Sequence, residues 1–127
     1  MSFEQQMVKF LHIALKKGNV WRPCGDYCWL NAITIPNYYA VPHIQDFNLF
    51  LAEKKKLKIH LARAYNQIPV REEDISKMAV ITPFGLFEFP LMPFSLCNTG
   101  ETFQCFIHKV LRNLGFIFVY LDDILIV

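Results

Sequence analysis

The sequence predicts an α+β fold in which a small antiparallel sheet is backed by helices. Apolar residues recur at helical spacing from Phe103 to Leu114, after Asn98 and Glu101 give a helix start signal, and Gly115 ends the pattern. Runs of β-branched and aromatic residues, bounded by turn residues, predict strands over about 57–61, 77–82, 86–91 and 116–127. The 127 residues are 54% hydrophobic and 19% charged, which suits one domain with a buried core or a piece of a larger domain.

The first half of the chain carries weaker signals. Apolar residues at helical spacing predict a helical turn or two within residues 2–15. Pro36 and Pro42 predict an extended, irregular stretch over 32–42. Pro42 also suits the first turn of a helix that runs to about Ala52. The expected buried face of that helix consists of Ile44, Phe47, Phe50 and Leu51. A turn or short helix is expected over 62–66, and a turn at 83–85.

The end of the chain holds the most informative pattern. Two apolar runs flank Asp122 and Asp123, which predicts a hairpin with the two acids at its tight turn. Two neighbouring acids do not suit a buried strand, because an unpaired buried charge is costly. Carboxylates aimed by a hairpin suit a hard divalent cation such as Mg²⁺, and the alternative is an ordinary polar turn. The 99–114 helix is expected to pack under the sheet and support this hairpin.

Composition excludes several classes of protein. The formal charge of +2 is too small to indicate nucleic acid by itself, although lysines cluster at 16–17 and 54–58. Apolar runs stay below the 18 or so residues of a membrane span, and the start lacks a signal-peptide core, so we expect no membrane partner and no secretion. The four cysteines lack zinc-knuckle spacing, which favours free thiols in an intracellular protein.

Six blocks of sequence resemble the reverse transcriptases of gypsy-type retrotransposons and related Pol polyproteins. Tyr120-Leu121-Asp122-Asp123 resembles their Tyr-x-Asp-Asp box. The other blocks follow in the family's order from about residue 11 onward: 21–27 with 30–31, 35–42, 58–61 with 65–70, 81–89, and 92–94 with 102–104. The resemblance implies one partial reverse transcriptase domain, fingers-like over about 1–56 and palm-like over about 57–127. It also implies a projecting fingers hairpin, with a strand at 10–16, a turn at 17–19 and a returning strand at 20–27.

The resemblance also implies RNA-directed DNA polymerase activity. Two metal ions, Mg²⁺ or Mn²⁺, would serve transfer of a nucleotide from a dNTP to a primer 3′-hydroxyl on an RNA or DNA template. The family's catalytic triad would fall on Asp122, Asp123 and position 60, with the two aspartates as metal ligands. Lys16 or Lys17 and Arg22 would hold the triphosphate. Tyr65 would occupy the steric-gate position that excludes ribonucleotides.

Several residues depart from the family pattern. His60 stands where the family has the third aspartate, and an imidazole suits Zn²⁺ or Cu²⁺ better than Mg²⁺. Cys28 and Trp29 follow Asp26-Tyr27, where the family usually has arginine. Ser95 replaces a usual glycine, and Gly100 a usual proline. These departures predict weakened metal binding and impaired catalysis.

The sequence ends four residues after Asp123, so we expect a truncated copy without a thumb. The alternative is a non-catalytic remnant, or a domesticated module that binds nucleic acid or a partner. An open palm surface in such a copy predicts self-association at micromolar concentration.

Overall fold

The computed structural model describes residues 9–127, apart from the side chains of Lys9, Ile44, Leu49 and Phe50. Helical turns were predicted within residues 2–15, of which 2–8 lie outside the described residues and 9–15 form a strand. The burial predicted for Ile44 and Phe50 also lies outside the described residues. The strands are β1 (Lys9–Lys16), β2 (Val20–Gly25), β3 (Leu57–His60), β4 (Val80–Thr82), β5 (Gly85–Phe87), β6 (Ile117–Tyr120) and β7 (Asp123–Ile126). The helices are α1 (Cys28–Ile33), α2 (Ile44–Leu51), α3 (Glu72–Ile75) and α4 (Thr99–Leu111), with 3₁₀ turns at Ala64–Gln67 and Ser76–Met78.

The described chain divides into two compact units, each built from two stretches of sequence. The first unit comprises residues up to Ile35 together with Tyr65–Thr99, and the second comprises Pro36–Ala64 with Gly100–Val127. Each unit contains a sheet and helices, so the predicted α+β class is confirmed. The predicted division near residue 56 into fingers-like and palm-like parts stays a prediction.

The first unit is built on a four-stranded sheet in the order β2-β1-β4-β5. Its β1–β2 hairpin confirms the strand predicted at 10–16 and the turn at 17–19. Gly18 and Asn19 both take positive φ, of 90° and 57°, which suits the right-handed twist of the flanking strands. The second strand ends at Gly25 rather than at residue 27, and α1 follows, a helix that the sequence patterns did not predict.

Tyr27 is the centre of this unit's core. Its ring is 1% exposed and lies with Met78 and Val80 in a buried cluster. The phenol donates a hydrogen bond to the Met78 carbonyl at 3.1 Å. Burial, with a smaller contribution from Cys24, raises the pKa of Tyr27 to about 12, so the phenol stays a neutral donor. A Cβ at Gly25 would approach the Tyr27 ring to 2.6 Å, so this close packing requires glycine.

The predicted sheet composition was wrong for two of its segments. Residues 77–82 and 86–91 were expected beside the terminal hairpin, but β4 and β5 belong to the first unit's sheet. There β4 pairs with β1 in parallel, Lys9 opposite Val80 and Phe10 opposite Ile81. Both strands are also shorter than predicted. A 3₁₀ turn occupies Ser76–Met78 before β4, and residues 90–92, beyond the end of β5, pair instead with 68–70. Strand patterns specify local geometry, not which strands become neighbours.

The second unit contains the sheet β3-β7-β6 and the helices α2 and α4. Phe103 is fully buried, and Ile107, Val119 and Ile124 are at most 9% exposed. The α2 face is confirmed where it is described, since Phe47 and Leu51 are buried. The strand predicted at 57–61 is present as β3, an edge strand of this sheet, but its expected burial is wrong, because all four side chains are exposed. Helix α4 ends at Leu111 rather than at residue 114. A turn follows it, in which the Leu114 N–H donates to the Leu111 carbonyl at 3.0 Å.

The backbone conformation of Ser95 shows why the resemblance expects glycine at this position, and it gives a stability prediction. Its φ is +72°, in the left-handed region that favours glycine. That conformation costs a non-glycine residue roughly 1–2 kcal/mol. The greater freedom of glycine in the unfolded chain offsets about 0.5–1 kcal/mol of the gain. We expect Ser95→Gly to raise the free energy of unfolding by about 0.5–1 kcal/mol in urea denaturation.

The matched control is Ser76→Gly, because Ser76 has an ordinary helical φ of −62°. This substitution is expected to lower the free energy of unfolding. Equal losses of stability in the two variants would show that position 95 carries no such strain.

Candidate functional site

A tight turn between β6 and β7 carries the two aspartates. Tyr120 pairs with Asp123, so the two turn residues are Leu121 and Asp122. The hairpin is confirmed, but Asp123 is the first residue of β7 rather than part of the turn. Leu121 has a φ of +51°, an uncommon conformation for leucine that costs roughly 1–2 kcal/mol. The prediction placed the turn one residue too far along because leucine is not a turn signal.

Strand β3 places His60 directly beside this turn. His60 pairs with Asp123 in the antiparallel register of β3 and β7. Residues opposite each other in such a pair project from the same face of the sheet. The Leu61 N–H continues the ladder by donating to the Asp122 carbonyl at 2.9 Å. Position 60 and both aspartates are therefore fixed to one another by backbone pairing.

The three side chains converge. The Nδ1 of His60 lies 3.0 Å from Oδ1 of Asp123, and its Nε2 lies 3.5 Å from Oδ2 of Asp122. One candidate ligand atom from each residue lies within 4.8 Å of the others. His60 and Asp122 therefore lie side by side, as the triad predicted at Asp122, Asp123 and position 60 requires. Three potential metal ligands from two segments meet here, and their catalytic role stays a prediction.

Positive charge surrounds one of the two carboxylates. Lys58, which projects from the same face of β3 as His60, lies with Nζ 3.0 Å from Oδ2 of Asp123. The hydrogen bond from His60, and then the hydrogen bond and charge of Lys58, lower the pKa of Asp123 against the opposing effect of burial. Each oxygen of Asp123 thus has a cationic or imidazole partner, and a metal ion at this carboxylate would compete with both.

Helix α4 supports the turn through a buried glutamine that the sequence patterns did not single out as functional. The Gln104 side chain is fully buried. Its Nε2 donates to the Val119 carbonyl at 2.9 Å, and its Oε1 accepts from the Leu121 N–H at 2.7 Å. The same Nε2 lies 2.8 Å from Nε2 of His108, one helical turn later. Gln104 and His108 form a polar pair at i, i+4 beside the apolar face of the helix, and this pattern is the sequence signal that could have identified the role of Gln104.

The residues predicted to hold the nucleotide lie in the first unit. Arg22 is on β2, and its guanidinium carbon lies 4.1 Å from the centre of the Phe94 ring. The Tyr65 ring meets the same phenylalanine edge-on, with centroids 4.9 Å apart. The structure thus brings Arg22 and Tyr65 to one aromatic ring. Lys16 and Lys17 are exposed at the end of β1 and in the turn that follows.

The sequence and fold match a known family. Residues 14–127 match the family model described as "Reverse transcriptase (RNA-dependent DNA polymerase)". The chain belongs to the reverse transcriptase family.

Curated relatives agree with this assignment. The chain is 40% identical over 111 residues to the retrovirus-related Pol polyprotein from transposon 297 of Drosophila melanogaster, covering 85% of this chain and 10% of the polyprotein. It is 36% identical over 108 residues to an RNA-directed DNA polymerase homolog of Oenothera berteroana, covering 83% of this chain and 76% of the homolog. The chain therefore spans about a tenth of the polyprotein's length and about three quarters of the homolog's.

Solved structures show the same fold. The foamy viral protease-reverse transcriptase in complex with an RNA/DNA hybrid superposes with a TM-score of 0.83 at 21% identity, over 94% of this chain and 16% of that one. The native prototype foamy virus protein gives a TM-score of 0.76 at 23% identity, with the same coverage of both chains. The described residues of this chain contain no helix that is both long and apolar enough to cross a membrane. The structure shows no disulfide bond among the described residues.

The charge contacts at Asp123 give a testable prediction. We expect His60→Leu and Lys58→Met each to raise the pKa of Asp123, because each removes a partner of the charged form. The His60 hydrogen bond is the largest single cause of the lowered value, and Lys58 lowers it through both a hydrogen bond and its charge. Carboxyl ¹³C NMR titration measures these shifts directly.

The control for this titration is Lys56→Met, an exposed lysine on the approach to the same strand, which should leave the pKa of Asp123 unchanged. In the wild type, the lowered pKa stabilises the fold above the ordinary aspartate value of 3.8, and this stabilisation is lost as the pH falls through the folded value. An unchanged Asp123 titration in both test variants would mean that neither side chain contacts it in solution.

Proposed function

We propose that this chain is the fingers-and-palm part of an RNA-directed DNA polymerase. His60, Asp122 and Asp123 would form its metal-binding nucleotidyl-transfer site. The observation that carries the proposal is the convergence of these side chains from a palm strand and the Tyr-x-Asp-Asp turn to within 4.8 Å. The reaction would transfer a nucleotide from a dNTP to a primer 3′-hydroxyl on an RNA or DNA template. The similarity to a reverse transcriptase solved with an RNA/DNA hybrid supports nucleic acid as the partner.

The residues present fit Mg²⁺ only in part. Asp122 and Asp123 supply the oxygen ligands that Mg²⁺ and Mn²⁺ take. His60 supplies a neutral nitrogen in the position of a third carboxylate, and Lys58 already neutralises charge on Asp123. Mn²⁺ binds imidazole more readily than Mg²⁺ does. We therefore propose weak metal binding with a preference for Mn²⁺, and slow catalysis where the family employs two ions.

A divalent cation at this site would stabilise charge on the transferring phosphoryl group. The chain's own residues would bind the triphosphate and select the sugar of the nucleotide. The guanidinium of Arg22 lies over the Phe94 ring, and its N–H donors would bind phosphate oxygens of the nucleotide. Lys16 and Lys17 would add positive charge at the hairpin turn. Tyr65, held edge-on by the same Phe94, would act as the steric gate against ribonucleotides.

A second candidate is a module that binds nucleic acid or a partner without catalysis. One observation favours it: both oxygens of Asp123 already contact basic side chains of this chain. Primer extension with Mn²⁺ on an RNA template separates the candidates, because this second one predicts template binding without extension. Under either candidate we propose an intracellular location, where templates and dNTPs occur.

Self-association is a further part of this proposal. The edge strand β3 exposes Leu57 and Ile59, 59% and 39% accessible, on the face opposite Lys58 and His60. An exposed apolar edge strand can pair with a second copy. Analytical ultracentrifugation at micromolar concentration should show association, and a clean monomer would contradict it.

Restoring the third carboxylate tests the metal site. We expect His60→Asp to tighten Mn²⁺ and Mg²⁺ binding by roughly 10- to 100-fold, because it adds an anionic oxygen ligand and removes a competing partner of Asp123. The double variant with Asp122→Asn should lose that gain. Isothermal titration calorimetry with each metal measures both effects.

The matched control is His43→Asp, which adds a carboxylate at an exposed histidine of the same unit, away from the turn. It should leave metal affinity unchanged. If wild type binds Mg²⁺ as tightly as His60→Asp, position 60 is not a ligand position and the proposed site is wrong. Primer extension with the same variants tests separately for a gain in catalytic rate. Removal of one key electrostatic contact commonly lowers an enzyme's rate by on the order of 10²–10³, which sets the scale of the gain from restoring one.

A further inference from the structure

The turn that carries Asp122 is held on its inner side by one side chain. Two backbone groups flank its strained residue, the Val119 carbonyl before it and the N–H of Leu121 itself. Gln104 satisfies both, at 2.9 Å and 2.7 Å, and is itself fully buried. Without these bonds, two backbone polar groups next to a left-handed leucine would lose their partner.

The polarity of these two groups fixes the orientation of the glutamine amide. The Val119 carbonyl needs a donor and the Leu121 N–H needs an acceptor, so Nε2 must face the first and Oε1 the second. A flipped amide would place two acceptors together and two donors together. The remaining N–H of Gln104 then points to Nε2 of His108, 2.8 Å away.

The orientation of Gln104 in turn dictates the state of His108. Since an N–H of Gln104 approaches Nε2 of His108, that nitrogen must accept, and the imidazole must be neutral with its proton on Nδ1. Nδ1 lies 2.9 Å from the Tyr39 hydroxyl oxygen, which can accept this proton's hydrogen bond. The Tyr39 ring also packs against the imidazole, with centroids 5.8 Å apart.

These contacts form one directed chain of hydrogen bonds, which we call the turn relay: His108 donates to Tyr39, Gln104 donates to His108 and Val119, and Leu121 donates to Gln104. All of its members lie in the second unit. Its far end is the residue next to Asp122. A displacement at His108 therefore has a direct path to a carboxylate of the candidate metal site.

We propose that Gln104 is a positioning residue for the metal-binding turn and that His108, in its Nδ1–H form, holds Gln104 in the place and orientation that the two backbone groups require. The proposal rests on the proposed metal site, because positioning matters only if Asp122 and Asp123 bind a cation. Outer partners of metal ligands commonly affect metal affinity by roughly 10- to 100-fold. The relay would do so through backbone geometry rather than through a bond to a carboxylate.

The test uses Mn²⁺ as the probe and varies His108, so that Gln104 itself is left unchanged. His108→Leu removes the acceptor and should weaken Mn²⁺ binding by about tenfold. His108→Gln places an amide oxygen near the original Nε2 and should restore affinity to within about twofold of wild type. Ile107→Val, a buried neighbour on the same helix, controls for loss of packing and should leave affinity unchanged. Affinities come from electron paramagnetic resonance of free Mn²⁺, at a temperature where all variants are folded.

A second measurement does not depend on metal. In ¹⁵N NMR, His108 of the wild type should show the Nδ1–H tautomer, and the Leu121 amide should be protected from hydrogen exchange. His108→Leu should reduce that protection, and His108→Gln should restore it.

The Nε2–H tautomer, or unchanged Leu121 protection in His108→Leu, would overturn the proposal. So would Mn²⁺ affinity in His108→Leu equal to that of wild type, no rescue by His108→Gln, or an equal loss in Ile107→Val. Absence of Mn²⁺ binding in the wild type would instead refute the proposed metal site. The tautomer and the exchange data then decide whether the relay exists.

Discussion

The candidate site depends on the backbone of one tight turn. Leu121 adopts a left-handed conformation that leucine disfavours, and neighbouring elements hold it there. The Leu61 N–H binds the Asp122 carbonyl from β3, while Gln104 binds both sides of Leu121 from α4. Local strain of this kind persists when surrounding contacts determine it several times over, and it is common where side chains must be aimed. Here the aimed side chain is a carboxylate of the Tyr-x-Asp-Asp box.

The chemistry of the site is governed by its charge balance. Two carboxylates face one imidazole and one ammonium group, so the cluster already contains partners for the negative charge that would attract a cation. An aspartate at position 60 would add a ligand; a histidine adds a hydrogen-bond partner for Asp123. The chain has the fold of the reverse transcriptase family. By the sequence resemblance, its donor set is predicted to differ from the family's at position 60. This combination explains why family membership and activity of this chain are separate questions.

The sequence predicted the parts of this arrangement that depend on local patterns. Helix α4 followed from apolar periodicity, and the terminal hairpin followed from two apolar runs around Asp122 and Asp123. The prediction that β4 and β5 pair beside the terminal hairpin was wrong, because the residues of a strand do not determine which strand it pairs with. The exposure of β3 was missed for the same reason: burial depends on neighbours. The approach of His60 to Asp122 was predicted from the order of the family's sequence blocks. No hydrophobic periodicity in the chain predicts it. Gln104 was placed in a family block, but its role was not predicted, because that role depends on the backbone groups of Val119 and Leu121.

The central claim is that position 60 and the two aspartates form one metal site. A crystal structure of His60→Asp soaked in Mn²⁺, with anomalous data collected at the manganese edge, tests it most directly. The account predicts an anomalous peak within ligand distance, about 2.0–2.3 Å, of oxygens from Asp122, Asp123 and the side chain introduced at position 60. A peak bound by Asp122 and Asp123 with the side chain at position 60 turned away, or manganese found elsewhere in the chain, would contradict it.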